Sequence, residues 1–195
     1  YMAIRDYLLP MFVILPLGGA FLISLLGKRL RGFSDIFANI IAFLLLTLSV
    51  YSVFLVNSFG VMVYKVGMWV PPIGIGLVLD GLSSFMLVTI NLIAFTIMAY
   101  AVNYMEGYTA KWKFYTLFLL MLAGMEGVII AGDIFNLFVF LEIASVASYA
   151  LVAYGTEAEE LEASFKYLIL CSRGSLFSLL GIALSCGYTS TLNMA

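Results

Sequence analysis

The sequence predicts an all-α membrane protein, a polytopic transmembrane helical bundle of about six spans. Three observations predict it. Hydrophobic residues make up 64% of the 195 residues and charged residues 10%, against roughly a quarter charged in soluble domains. Mean hydropathy is +1.13. The apolar residues fall into six runs, each close to the roughly 20 residues that cross a bilayer. A water-soluble fold of this size keeps a large polar exterior, which this composition cannot supply.

Taken in order, the first run covers 7–26 and stops at Lys28, Arg29 and Arg31. Its charged cluster follows the apolar stretch and no small-residue cleavage site appears, so it reads as a span and not as a signal peptide. The second run covers 34–56, the third 80–104, the fourth 114–130, the fifth 133–154 and the sixth 164–188. Between the second and third, residues 57–79 carry Gly60, Gly67, Pro71, Pro72, Gly74 and Gly76, which break helices. Alternation around Val61, Val63 and Tyr64 predicts an extramembrane hairpin, with Trp69 at the interface where aromatics collect. Asp133 and Asp80 each precede an apolar run and read as helix N-caps. The chain reads as one transmembrane domain over 1–195.

Loop charge gives an orientation. Lys28, Arg29, Arg31, Lys111 and Lys113 fall on one side, and only Arg5 and Lys65 on the other. The N-terminus is therefore expected outside the cell membrane, with loops 27–33, 105–113 and 155–163 cytoplasmic. The acidic third loop does not disturb this, since Asp and Glu contribute little to orientation.

Several function classes drop out. The net charge of −2 leaves no basic patch for nucleic acid. The absence of His removes His-ligated haem, His-based zinc sites and Ser-His-Asp triads. Cys171 and Cys186 lie fifteen apart in one apolar run and read as small packing residues. No cofactor and no metal site is expected, and with no flavin, haem or iron–sulfur ligand set an autonomous redox enzyme is a weak reading.

Ionisable groups inside apolar spans are the informative residues, because each costs roughly 2.5–3.5 kcal/mol to insert and so faces protein or water. Glu142 lies near the centre of the fifth span, too deep for so short a side chain to reach either surface. At 100° per residue Ser145 and Tyr149 share its face. Such a carboxyl can load and release a proton, or it can be neutral glue between helices. Lys166 enters the sixth span, as a snorkelling lysine or as a partner for the acid. Arg173 lies seven residues deeper on the same helical face and calls for a carboxylate, with Glu142 and Glu126 as candidates. Glu126, late in the fourth span, is an auxiliary candidate beside Ser145 and Tyr149. Acid and base groups on neighbouring spans suggest a proton relay. Composition alone does not separate pump, antiporter and channel.

The stretch "GDIFNLFVFLEIASVASYALVAYG" resembles the fifth helix of the antiporter-like membrane subunits. That superfamily takes in the D subunit of Mrp-type sodium/proton antiporters, related subunits of membrane-bound hydrogenases and sulfur-reducing complexes, and the proton-pumping subunits of complex I. "VGMWVPPIGIGLVLDGLSSFML" resembles their entry to the third helix, and "LEASFKYLILCSRGSLFSLLGIALSCGYTSTLNMA" their sixth helix and the segment after it. The resemblance implies that Glu142 is the fifth-helix glutamate of the ion path and Lys166 the sixth-helix lysine. It also implies a partner lysine on a broken seventh helix, which lies beyond this sequence. Family members are longer, with about fourteen spans in two inverted repeats, so the chain is expected to match their N-terminal portion only. Ser190 replaces the usual glycine, and Glu126 and Arg173 stand where uncharged residues are usual.

The expected function is thus translocation of H+, Na+ or both by a membrane subunit of a complex I-like respiratory, hydrogenase or Mrp-type antiporter complex. Glu142 would carry the proton, tuned by Lys166 and Arg173. Its partners would be other membrane subunits and the lipid bilayer. The alternative is a structural half-subunit that joins membrane modules without moving ions.

Overall fold

The computed structural model describes residues 2–29, 32–66, 75–107, 110–192 and 194, with side chains from Leu8 onward. Trp69, Arg31 and most of the Pro/Gly-rich hairpin tip lie outside the described residues, as does the Arg5 side chain. Among the described residues six helices are long and apolar enough to cross a membrane, and the protein is a multi-pass membrane protein. They are α1 (Met2–Leu26), α2 (Phe33–Phe59), α3 (Gly81–Tyr104), α4 (Lys111–Ile130), α5 (Ile134–Val152) and α6 (Ala158–Thr189). Two short strands, β1 (Met62–Lys65) and β2 (Gly76–Leu79), pair antiparallel with Met62 opposite Leu79.

Several helices outrun the apolar stretch that marks them. α6 starts at Ala158 instead of residue 164, because Glu160 Oε2 accepts from the Glu157 N–H at 3.3 Å. The acidic loop therefore becomes the first turn of a helix, where negative charge meets the positive end of the helix dipole. α1 continues through Pro10 and Pro16, which spanning helices tolerate when neighbours re-satisfy the freed backbone groups. Both aspartates cap as expected. Asp80 accepts from Ser83 N at 2.7 Å and Asp133 from Asn136 N at 2.6 Å.

The buried core lies among α1, α2, α3 and α4, with Phe12, Leu45, Leu87 and Leu119 fully enclosed. α4 is its centre, packing against α1 and α5 and touching α2, α3 and β2. α5 lies on the far side of α4 and buries only Asn136 and Ala147. α6 packs on α5 and buries no residue.

The two ends of the bundle are tied differently. At one end, the loops after α1, α3 and α5 come together. Lys111 Nζ lies 3.6 Å from Asp35 Oδ2, and the Tyr154 hydroxyl donates to the Ala110 carbonyl at 2.8 Å. At the other end the hairpin seats on the α4–α5 turn. Gly132 N–H donates to the Gly76 carbonyl at 2.8 Å, and a Cβ there would lie 2.9 Å from that oxygen, so only glycine permits the approach. The chain after α6 returns to the same place, with Ile134 N–H donating to Leu192 O at 3.0 Å.

Candidate functional site

Among the described residues, Glu126 and Glu142 are the carboxyl groups set deep within a span, away from its ends, and their surroundings differ. Glu142 is eight residues from the start of α5 and ten from its end, about 12 and 15 Å from the two termini. It is half-buried and makes no ion pair among the described residues. Phe140 and Ala144 of α5 face α4, and a residue two places from each points to the opposite side of the helix. Glu142 is thus directed away from α4, into electrostatic range of Tyr149. Ser145, also half-buried, shares that side of α5.

The α5–α6 contact is built around Tyr149. Ser164 Oγ donates to the Tyr149 carbonyl at 2.7 Å, and the Tyr149 and Tyr167 rings meet edge to face with centroids 6.0 Å apart. Cys171 lies within electrostatic range of Tyr149. Ser164, Tyr167 and Cys171 therefore form the side of α6 that faces α5.

That packing turns Lys166 and Arg173 outward. Each is two residues from a position facing α5, a rotation of about 200°. Both are exposed, and Lys166 Nζ pairs with Glu162 Oε1 on its own helix at 2.6 Å. The carboxylate expected opposite Arg173 is neither Glu142 nor Glu126, since neither forms an ion pair with it. The sequence correctly places Lys166 and Arg173 on one helical face, but the structure does not bring that face to Glu142.

Glu126 is the carboxyl the structure encloses completely. It has 0% exposure, and neither carboxyl oxygen has a hydrogen-bond partner. It sits on the α4 stripe of Tyr115, Leu119, Leu122 and Ile130, which faces the α1–α3 core, whereas Gly124 and Gly127 face α5. Asn91 of α3 is the polar side chain that reaches it. Its amide nitrogen donates to the Leu87 carbonyl at 3.0 Å, and its oxygen is buried without a donor. Asn91 is not among the ionisable residues that mark the spans, yet an asparagine inside an apolar span is itself a sign of interhelical polar contact. No group of three His, Cys, Asp or Glu able to hold a metal occurs among the described residues.

Comparison with known proteins fits this architecture. The family model described as NADH:quinone oxidoreductase/Mrp antiporter, TM matches residues 131–195. The model for the N-terminus of chain 5 of NADH-ubiquinone oxidoreductase (complex I) matches residues 69–115. A chain of the membrane-bound sulfane sulfur reductase, an archaeal respiratory membrane complex, superposes with a TM-score of 0.89 at 36% identity, covering 95% of this chain and 38% of that one. The chain belongs to the antiporter-like membrane subunit superfamily.

Among the antiporter-like relatives, the probable K(+)/H(+) antiporter D subunit of Rhizobium meliloti is 35% identical over 97% of this chain and 36% of its own length. The N subunit of the NADH-quinone oxidoreductase of Desulforudis audaxviator is 42% identical over 68% of this chain and 26% of its own. The chain thus spans about a quarter to under two fifths of the length of these relatives. The family match over residues 131–195 takes in all of α5 and α6, and with them Glu142, Lys166 and Arg173.

Proposed function

We propose that this antiporter-like chain is an ion-translocating membrane subunit that moves H+, or Na+ in its place, within a multisubunit complex of the complex I-like, hydrogenase or Mrp type. Glu142 is the proton carrier, and Lys166 and Arg173 tune it. The observation that carries the reading is Glu142 itself, a half-buried carboxyl at the middle of an apolar span, unpaired and set beside Tyr149. A carboxyl already committed to an ion pair would resist exchanging its proton, whereas this one is available.

Lys166 and Arg173 need not touch Glu142 to act on it. Across one helix width, roughly 10 Å, a unit charge at an effective dielectric of 20 contributes about 1.7 kcal/mol. That changes a proton affinity more than tenfold. Moving one charge through 100 mV is worth about 2.3 kcal/mol, so displacing such a cation by a few ångströms matters on the scale of ion pumping. The chain resides in the cell membrane with its N-terminus outside and loops 27–33, 105–113 and 155–163 in the cytoplasm, in line with the five basic residues of the first two of these loops. Other membrane subunits and lipid cover the open side of α6.

The test is ion flux in vesicles carrying the full complex. Glu142→Gln removes the titrating group at constant shape and is expected to lower flux at least tenfold, with Glu142→Asp retaining part of it. Unchanged flux in Glu142→Gln would discard the reading in favour of a structural half-subunit.

A further inference from the structure

A second carboxyl in the membrane lies outside the line through Glu142, and three buried oxygens around it lack a donor. They are Glu126 Oε1, Glu126 Oε2 and Asn91 Oδ1. Asn91 Nδ2 is held by the Leu87 carbonyl, which fixes the amide's orientation, because exchanging its oxygen and nitrogen would set two carbonyl oxygens together. From the structure we infer that Glu126 and Asn91 form a proton-binding site in the α3–α4 interface, in which Glu126 holds one H+.

The inference rests on what surrounds the carboxyl. α1 has no titratable side chain between Leu8 and Leu26, and β2 has none. α5 presents Phe140 and Ala144 to α4, with Glu142 turned to its other side, and Asp133 is committed to its helix cap. On α3, Asp80 caps the helix, and on α2, Asp35 pairs with Lys111 at the far end of the bundle. No cation within the described residues pairs with Glu126. A carboxylate with no countercharge, and with the nearby Asn91 amide closing no hydrogen bond to it, is not tolerated in such surroundings. One added proton neutralises the charge and supplies the missing donor. A metal cation would need more ligands than these two side chains offer. The site is independent of Glu142, so either reading can fail while the other stands.

Infrared difference spectroscopy of the full complex in lipid, at neutral pH, reads the proton directly as the carbonyl stretch of a neutral carboxylic acid. The band is expected in the wild type and in Glu142→Gln, and is expected to vanish in Glu126→Gln. Identical spectra for Glu126→Gln and wild type would overturn the inference, as would a band that disappears on adding Na+ at constant pH. Should Glu126→Gln fail to fold, Asn91→Leu serves instead, since losing the amide shifts the band of a hydrogen-bonded acid. An unmoved band in Asn91→Leu would overturn the site.

Discussion

Glu126 and Glu142 sit level with each other, to within a turn, on the antiparallel neighbours α4 and α5, yet they face opposite ways. The register follows from the packing. Gly124 lies against Ala144, and Gly127 lies against Phe140. Between those contacts, Glu126 turns into the α1–α3 core and Glu142 toward Tyr149 and α6. Two acids at one depth are thus kept apart by the backbones of the two helices that carry them.

The close approach of α4 and α5 depends on Gly124. A Cβ there would lie 2.6 Å from the Ala144 backbone nitrogen and 2.9 Å from its Cα, and backbone cannot rotate away. Gly124→Ala is expected to cost about 1–3 kcal/mol, as overpacking does. At Gly127 the obstacle is the Phe140 ring, its Cγ included, which rotation about the ring axis does not move, so Gly127→Ala is expected to destabilise as well. Denaturant unfolding in detergent measures both, and a neutral Gly124→Ala or Gly127→Ala would contradict the packing.

Asp80 links stability to pH at the hairpin end. The N–H and hydroxyl of Ser83 hold its carboxyl below the ordinary value of 3.8. Because the folded value is the lower one, the cap contributes fully above the unfolded value and is lost as pH falls through the folded one. Asp80→Ala is expected to cost about 1 kcal/mol at neutral pH. Asp80→Asn should keep most of the cap and remove its share of the acid sensitivity. Acid unfolding curves compare the variants, and parallel curves for wild type and Asp80→Asn would contradict this role.

Much of the fold is legible in the sequence because each span is a long, predominantly apolar run and both aspartate caps precede one. The candidate site is less so. Glu126 and Glu142 look alike along the chain, and only packing makes one enclosed and the other half-open. The small residues flanking Glu126, Gly124 and Gly127, are the local sign that α4 is closely packed. For Lys166 and Arg173, their shared helical face follows from the seven-residue spacing, but its direction depends on Ser164 and Tyr167 engaging Tyr149. That is a tertiary fact no spacing encodes.

The outward Lys166 separates stability from transport. Its partner Glu162 is exposed, with side-chain exposures of 69% and 66% for the pair. Such pairs contribute about 0–1 kcal/mol. Lys166→Met is therefore expected to leave unfolding nearly unchanged while altering flux and its pH profile. A large stability loss with a normal pH profile would assign Lys166 a structural role.

The Asp35–Lys111 pair joins α2 to α4 at the loop end, with side-chain exposures of 17% and 24%. At 3.6 Å and partly solvated, its coupling energy is expected to stay under about 1 kcal/mol. A double-mutant cycle of Asp35→Asn and Lys111→Gln measures it, and added salt should weaken it. A larger, salt-independent coupling would show a far more desolvated contact.

The most direct measurement compares flux through vesicles of the full complex carrying Glu142→Gln with flux through those carrying Glu126→Gln. If Glu142 carries the ion and Glu126 holds its proton aside from that route, the first variant falls at least tenfold and the second stays within about twofold of wild type. Full flux through Glu142→Gln would contradict the assignment of Glu142, whatever the second variant does.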